Sequence, residues 1–406
     1  MPKLPRQIWI LALGRLLSEI GSGFTIFYAP IFFVQQVGLS PTVVGLALGS
    51  ASISGVAGRL ISGTCADRWG RKPVLLLSTL ISAAACAIFT MTQDFPTLVG
   101  GCLVQGLGIG LYWPANEAMV ADLTTGEERR LAYAFTRLAD NVGMGVGIIA
   151  GGLLINSTGA YRLLFIADGI SFCCFFLTIV LGIHETLAPG IVQRQFMGGY
   201  LTALGDRRLL VYVTVNIILT VYVSQTQTTL PLYFSNFITQ AGKLGFAPTV
   251  ISALFTWHLL ITIGSQIPIL HFLRQFSHVR SLMISGGLWV LGFVCMTITG
   301  TVASYQLLWA GLGLGLFGLA IATYTTSASA LTADLAPPNL RGVYTSINSL
   351  CWAVGYAIGP PLGGWALDRS LQFAHNFWLG LAATMPIVWV ILIYLDRLIE
   401  DRSSTS

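Results

Sequence analysis

The chain has 406 residues, of which 54% are hydrophobic and only 9% charged, and its mean hydropathy is +0.76. One soluble core cannot hide that much apolar surface, so the composition excludes a soluble globular domain and indicates an integral membrane protein. The net charge of +5 is spread over loops where it tracks membrane orientation, so no nucleic acid is expected as a partner.

Seven cysteines, an odd number, lie in apolar runs or, for Cys65, in a charged turn, with no disulfide framework or metal spacing. The scattered histidines suggest no zinc site. There is no Walker A sequence, and Gly313-x-Gly315-x-x-Gly318 lies within an apolar span with no preceding strand, where helix packing explains it better than a dinucleotide. No enzyme, cofactor, metal or nucleotide is expected.

In chain order, Lys3 and Arg6 precede an apolar run from Ile8 to Val34, too long for a signal-peptide core, which reads as a first membrane helix. A bilayer-crossing helix needs ~20 apolar residues. Breaks near 36–41, 65–72, 92–96, 123–130, 156–160, 184–208, 238–247, 272–280, 301–303, 334–341 and 367–375 divide the chain into twelve such segments. Lys3, Arg6, Arg68, Arg71, Lys72, Arg129, Arg130, Arg194, Arg207, Arg208, Arg274, Arg280, Arg341, Arg397 and Arg402 fall on one set of loops; Arg162, Lys243 and Arg369 fall on the other. The positive-inside rule then places both termini in the cytoplasm, in an inner or plasma membrane. The longest loop predicts a cytoplasmic linker over 184–208 between six-helix bundles at 1–183 and 209–406.

A repeat agrees with that division. Ala121-Asp122-Leu123, Arg129, Gly143, Gly147, Gly151 and Gly152 recur 212 positions later as Ala333-Asp334-Leu335, Arg341, Gly355, Gly359, Gly363 and Gly364. Tandem halves with a substrate site near the membrane midplane are a transporter architecture.

The charged turn Gly63-Thr-Cys-Ala-Asp67-Arg68-Trp-Gly70-Arg71-Lys72 between segments 2 and 3 resembles the corresponding loop of the major facilitator superfamily of secondary transporters. The resemblance covers essentially the whole chain and implies an all-α membrane fold of twelve helices in two pseudo-symmetric six-helix bundles. It is most like bacterial twelve-helix drug-efflux proton antiporters. Asp67 and Arg71, four apart, can meet if the helix continues, and Gly63 and Gly70 allow close approach and a tight turn. The resemblance implies a conformational latch from Gly63, Asp67, Arg68, Gly70, Arg71 and Asp122. The second-half loop has lost the motif's Asp and glycines, leaving Arg274 or Arg280 to face Asp334 weakly.

Segment 5 carries Gly143, Gly147 and Gly151, similar to the family's antiporter signature but with Ile148 where that signature has proline; Gly355, Gly359 and Gly363 on segment 11 keep Pro360-Pro361. Both sets are expected to pack helices closely, and segment 11 to bend more. Segment 4, with Gln105-Gly106, Tyr112, Trp113, Asn116 and Glu117, is similar to the family's fourth-helix motif. Cys102 stands where proton-coupled relatives carry arginine, so coupling must use other groups.

Ionisable residues inside spans are functional candidates: Arg15, Glu19, Arg59, Glu117, Arg137 and Asp140 as proton or substrate-charge sites, with Asp168 expected to make a structural contact. Glu19 and Asp140 lie roughly 15 and 14 Å from the cytoplasmic ends of their segments at helical rise. Arg15 and Arg137 are the expected same-helix partners of Glu19 and Asp140, and Arg59 the partner of one of these acids. The cavity candidates are Tyr112, Trp113 and Asn116 of segment 4 and, in the second half, Tyr222, Gln225, Gln227, His258 and Tyr324; His258 and the terminal His271 are the ionisable groups clearly inside second-half spans. That division fits a lipophilic or amphipathic small molecule. The expected function is secondary transport by alternating access, as a proton-coupled efflux antiporter acting as a monomer in the lipid bilayer. A nutrient symporter or uniporter and a non-transporting sensor remain alternatives.

Overall fold

The structure is a computed structural model and describes residues 4–187, 197–240, 243–337 and 340–403. Lys3 and Arg194 lie outside these residues, as does most of the middle of the expected linker. The chain forms two compact units, Met1–Arg194 and Gln195–Ser406.

The first unit contains α1 (Arg6–Gln35), α2 (Pro41–Arg68), α3 (Arg71–Met91), α4 (Phe95–Leu123), α5 (Gly126–Thr158) and α6 (Arg162–Gly182). Local chemistry sets several ends. Ser40 and Asp94 accept the backbone N–H groups of Val43 and Thr97 at the starts of α2 and α4, each just before a proline-containing first turn suited to the orphan N–H positions. Arg129 closes α4 from the other side by donating to the Ala121 carbonyl at 2.8 Å and to that of Thr124 at 2.9 Å.

Helix α1 packs on α5 and α6, α2 on α4, and α3 on α4 and α6. The α1–α5 contact is backbone to backbone. A Cβ on Gly143 would stand 2.5 Å from the Leu16 carbonyl, and one on Gly147 would stand 3.1 Å from Gly23 Cα. Small residues permit such approach where lipid supplies no hydrophobic drive between helices. Phe32, Phe33, Phe89 and Phe165 close one end of the bundle as an aromatic group.

The second unit contains α7 (Met197–Leu204), α8 (Arg207–Gln227), α9 (Thr229–Asn236), β1 (Thr239–Gln240), β2 (Lys243–Leu244), α10 (Pro248–Gly264), α11 (Gln266–Leu273), α12 (His278–Thr301), α13 (Gln306–Leu335), α14 (Arg341–Leu367) and α15 (Leu371–Ser403). The strands pair antiparallel, Thr239 opposite Leu244. Helices α8 and α9 form the seventh span and α10 with α11 the eighth, the latter bent by 45° at Ser265. Among the described residues ten spans are long and apolar enough to cross a bilayer unaided, the bent pair adds an eleventh, and the 27-residue α14 completes the twelve.

The packing scheme of the first unit recurs: α8 packs on α14 and α15, α10 on α13, and α12 on α13 and α15. Each pairing is the six-helix shift of one in the first unit, so the glycine repeat corresponds to equivalent contacts. Gly355, Gly359 and Gly363 lie against Thr220, Ser224 and Thr229 just as the α5 glycines lie against α1. Helix α14 runs on through Pro360 and Pro361, and the broken span of this unit is the eighth. Two expectations need correction. A short helix, α7, occupies part of the expected linker, and α15 starts early enough to bury His375, where a loop was expected.

Candidate functional site

Close packing of α1 on α5 brings distant charges together. Gly143 leaves room for Glu19, whose Cβ would lie 2.8 Å from a Cβ at that position. One turn earlier on each helix, Arg15 Nε donates to Asp140 Oδ1 at 2.8 Å. The same guanidinium pairs with Glu19 through Nη2. The side chains of Arg15, Glu19 and Asp140 are 11%, 7% and 15% exposed, so one buried cation faces two buried carboxylates.

Helix α4 supplies the aromatic wall. The Arg15 guanidinium carbon lies 4.4 Å from the Tyr112 ring centroid and 5.2 Å from that of Trp113, within cation–π range. A cavity of about 180 Å³ opens beside this group inside the first unit, lined among others by Arg15, Glu19, Ser22, Ser82, Tyr112 and Trp113. Asn116, one turn along α4, is buried.

Arg137 is a correction. It does not hold Asp140; it pairs at 3.7 Å with Glu117, both side chains more than half exposed, and its guanidinium carbon lies 4.5 Å from the Trp113 ring centroid. Arg15 of α1 occupies Asp140 at 2.8 Å, and the Arg137 guanidinium turns to Glu117 and Trp113 of α4. Arg59 makes no ion pair within 4.0 Å among the described residues, and Glu117 is the acid whose charge it feels.

A second charged group lies where α2 turns into α3. Arg71 donates through Nη1 to Asp67 at 2.6 Å and through Nε to Asp122 of α4 at 3.3 Å. Gly70 has φ 107°, which a side chain rarely adopts, and Arg68 completes the last turn of α2, its charge suiting the helix C-terminus. Gly63 needs correction: nothing lies within 4 Å of where its Cβ would be, so no close approach requires it.

Sequence reasoning missed Glu185, just beyond α6. Its carboxylate accepts the N–H groups of Arg71 at 2.9 Å and Lys72 at 3.0 Å, the orphan donors at the start of α3. It also accepts those of Thr186 and Leu187, while Thr186 Oγ1 donates to Asp122 at 3.0 Å. Burial pushes this carboxyl up, and the four backbone donors outweigh it, holding it below its ordinary value. The only sequence signal was a lone acid after an apolar span.

The second unit contains no such charge group among its described interior residues. Asp334 meets His278 at 3.3 Å, and Arg280 lies 3.9 Å from Asp396, so neither Arg274 nor Arg280 faces Asp334. Gln225 is fully buried and donates to the Gly359 carbonyl at 2.8 Å. Tyr324 bonds Asn216, Tyr222 bonds Thr384, and Tyr356 donates to Gln227 at 2.8 Å. These groups satisfy one another between α8, α13, α14 and α15, so Tyr222, Gln225 and Tyr324 are interior packing contacts where a cavity lining was expected. His258 Nδ1 lies 2.9 Å from the Leu314 carbonyl, tying α10 to α13. The missed His375 bonds the Tyr233 hydroxyl at 2.8 Å.

The profile of the Major Facilitator Superfamily matches residues 11–240 and again 233–405. Multidrug resistance protein MdtH of Yersinia enterocolitica is 26% identical over 413 aligned positions, covering 97% of this chain and 96% of that protein. MdtH of Yersinia pestis strain Pestoides F is likewise 26% identical, with 98% and 97% covered. Among solved structures, the nucleoside transporter NupG superposes with a TM-score of 0.83 at 13% identity over 96% of this chain and 99% of its own. An auto-inhibited peptide transporter of the POT family gives 0.73 at 15% identity over 98% and 97%; both likenesses concern the fold alone. With two matched six-helix units and a profile spanning nearly every residue, the chain belongs to the Major Facilitator Superfamily, a multi-pass membrane transporter of small molecules and not an enzyme.

Proposed function

We propose that the protein is a proton-coupled efflux antiporter for lipophilic or amphipathic small molecules, working by alternating access as a monomer with both termini in the cytoplasm. The observation that carries this reading is Arg15 shared between Glu19 and Asp140. Two buried carboxylates against one guanidinium leave one negative charge without a partner, and an unpaired buried charge is costly. A proton or a cationic substrate group relieves that cost, so the two compete for the same place. Competition at one site links their gradients, because each ligand favours the conformation that binds it better.

Tyr112 and Trp113 give the site an apolar, π-rich wall beside the charge, which suits a flat or amphipathic cation better than a sugar. The relatives named as multidrug resistance proteins support the same substrate class. Asp67, Arg71 and Asp122 act as a latch that holds α2, α3 and α4 in one arrangement and releases in the other. Glu117 with Arg137 lies at the edge of the site, and Arg59 balances the charge on that side.

The reading is tested by substrate-triggered proton flux in liposomes containing purified protein. Lipophilic cations should move protons in the opposite direction, and Glu19→Gln or Asp140→Asn should abolish that flux and weaken cation binding. Proton flux in the same direction as a sugar or peptide would replace the efflux reading with nutrient import.

A further inference from the structure

Asp168 on α6 belongs to none of the ion pairs above. It is 0% exposed, and among the described residues no Lys, Arg or His nitrogen lies within 4.0 Å of its carboxyl. Its hydrogen-bond partners are neutral hydroxyls, one from α1 and one from α6. Thr25 Oγ1 of α1 donates to Oδ2 at 2.5 Å. The Cys86 side chain of α3 packs against α6 at the adjacent Gly169, and Ser171 Oγ, one turn along α6, lies 3.4 Å from Oδ1. The other charge it feels is Glu19, also an acid.

Ser171 Oγ donates to the Asp168 backbone carbonyl at 2.7 Å and, over a longer 3.4 Å, to Oδ1, so it offers the carboxyl a weak neutral contact and no charge. An ionised Asp168 would also keep its desolvation cost with no cation to offset it. The helices close directly on the group: a Cβ on Gly21 of α1 would fall 2.8 Å from Asp168 Cα, which leaves no room for a hydration shell.

We infer that Asp168 is a second proton-binding site, distinct from the Glu19–Arg15–Asp140 group and occupied in this conformation, with the Thr25 hydroxyl on Oδ2. The ligand is a single hydron, held where α1, α3 and α6 meet. Its binding forms one O–H bond on the carboxyl and takes one positive charge from water, with no other reactant. Thr25 and Glu19 share α1 and are roughly 9 Å apart along its axis. Any rearrangement of α1 that separates Arg15 from Asp140 therefore also disturbs the Thr25 contact, which couples the two proton sites mechanically. This coupling rests on the proton-coupled reading above; occupancy of Asp168 does not.

The test is infrared difference spectroscopy of the full chain in lipid bilayers, recording the carbonyl stretch of protonated carboxyl groups near neutral pH. A band is expected that Asp168→Asn removes and that Glu19→Gln and Asp140→Asn leave in place. Thr25→Val keeps the carboxyl and should shift the frequency of that band, so the result stands even if the asparagine variant folds poorly. Absence of any band that responds to Asp168 or Thr25 would overturn the inference, since the carboxyl would then be ionised. Because the readout needs no transport, its failure leaves the antiport reading standing, and an intact Asp168 band in a protein that moves no protons would defeat the antiport reading alone.

Discussion

Arg15 on α1 and Asp140 on α5 meet at 2.8 Å although 125 positions separate them in the chain. The contact makes Arg15 the hinge of the charge group, because Glu19 depends on the same guanidinium. Removing one partner of a buried ion pair costs about 3–5 kcal/mol, and Arg15→Ala strands two carboxylates at once. That variant should unfold at a clearly lower temperature than Glu19→Gln or Asp140→Asn, each of which leaves Arg15 one partner. Thermal unfolding in detergent decides the point; equal losses in the three variants would mean the shared pairing does not hold.

The glycine contacts separate into two classes with opposite expectations. Gly147 faces the α1 backbone around Ile20 and Gly23, so Gly147→Ala overpacks the contact at a cost of about 1–3 kcal/mol. Gly63 faces open space inside a helix, so Gly63→Ala should be neutral or gain about 0.5–1 kcal/mol from the backbone. Thermal midpoints that fall equally in the two variants would contradict the packing described here.

The latch is expected to act on rate. Its charges are partly exposed, with Asp67 at 30% and Asp122 at 32%, and such pairs contribute only about 0–1 kcal/mol each to stability. Asp67→Asn, which breaks the shorter 2.6 Å contact, should slow turnover more than Asp122→Asn while substrate affinity is unchanged. Paired measurements of transport rate and equilibrium binding check this, and a change confined to affinity would remove the latch role.

Glu185 predicts a pH dependence at the start of α3. Its carboxyl is held below the ordinary value of 4.5, so its stabilising contribution is complete above that pH and is lost as pH falls through the lower value of the folded protein. Cleavage by an acid-tolerant protease after α6 should therefore rise sharply in acid well below pH 4.5 in the unaltered chain. Glu185→Gln should be cleaved at the same rate at neutral and acid pH once the protease's own profile is divided out. Indifference of the unaltered chain to acid would contradict the bonding around Glu185.

Much of this architecture was legible in the sequence because the bilayer imposes it locally. Each span must satisfy its own backbone hydrogen bonds, so hydrophobic runs located α1 through α6 within a few residues. The Asp67–Arg71 contact is four residues apart and could be read from spacing, as could the Arg15–Glu19 pair. The Arg15–Asp140 and Arg71–Glu185 contacts join residues more than a hundred positions apart, and no local period carries them. Same-helix logic therefore assigned Arg137 to Asp140, whereas the α1–α5 glycine contact gives Asp140 to Arg15. In the second unit, polar residues such as Gln225 and Tyr324 looked like lining because composition does not distinguish a hydroxyl facing a cavity from one satisfying a neighbouring helix.

The central claim is that one buried charge group, Glu19 and Asp140 about Arg15, is shared between proton and substrate. It is tested most directly by loading liposomes containing the purified protein with a pH-sensitive dye, imposing a pH gradient, and adding a lipophilic cation. The account predicts substrate movement opposite to proton movement, abolished in Glu19→Gln and in Asp140→Asn, with cation binding weakened in both variants. Full substrate-driven proton flux in both variants would contradict it.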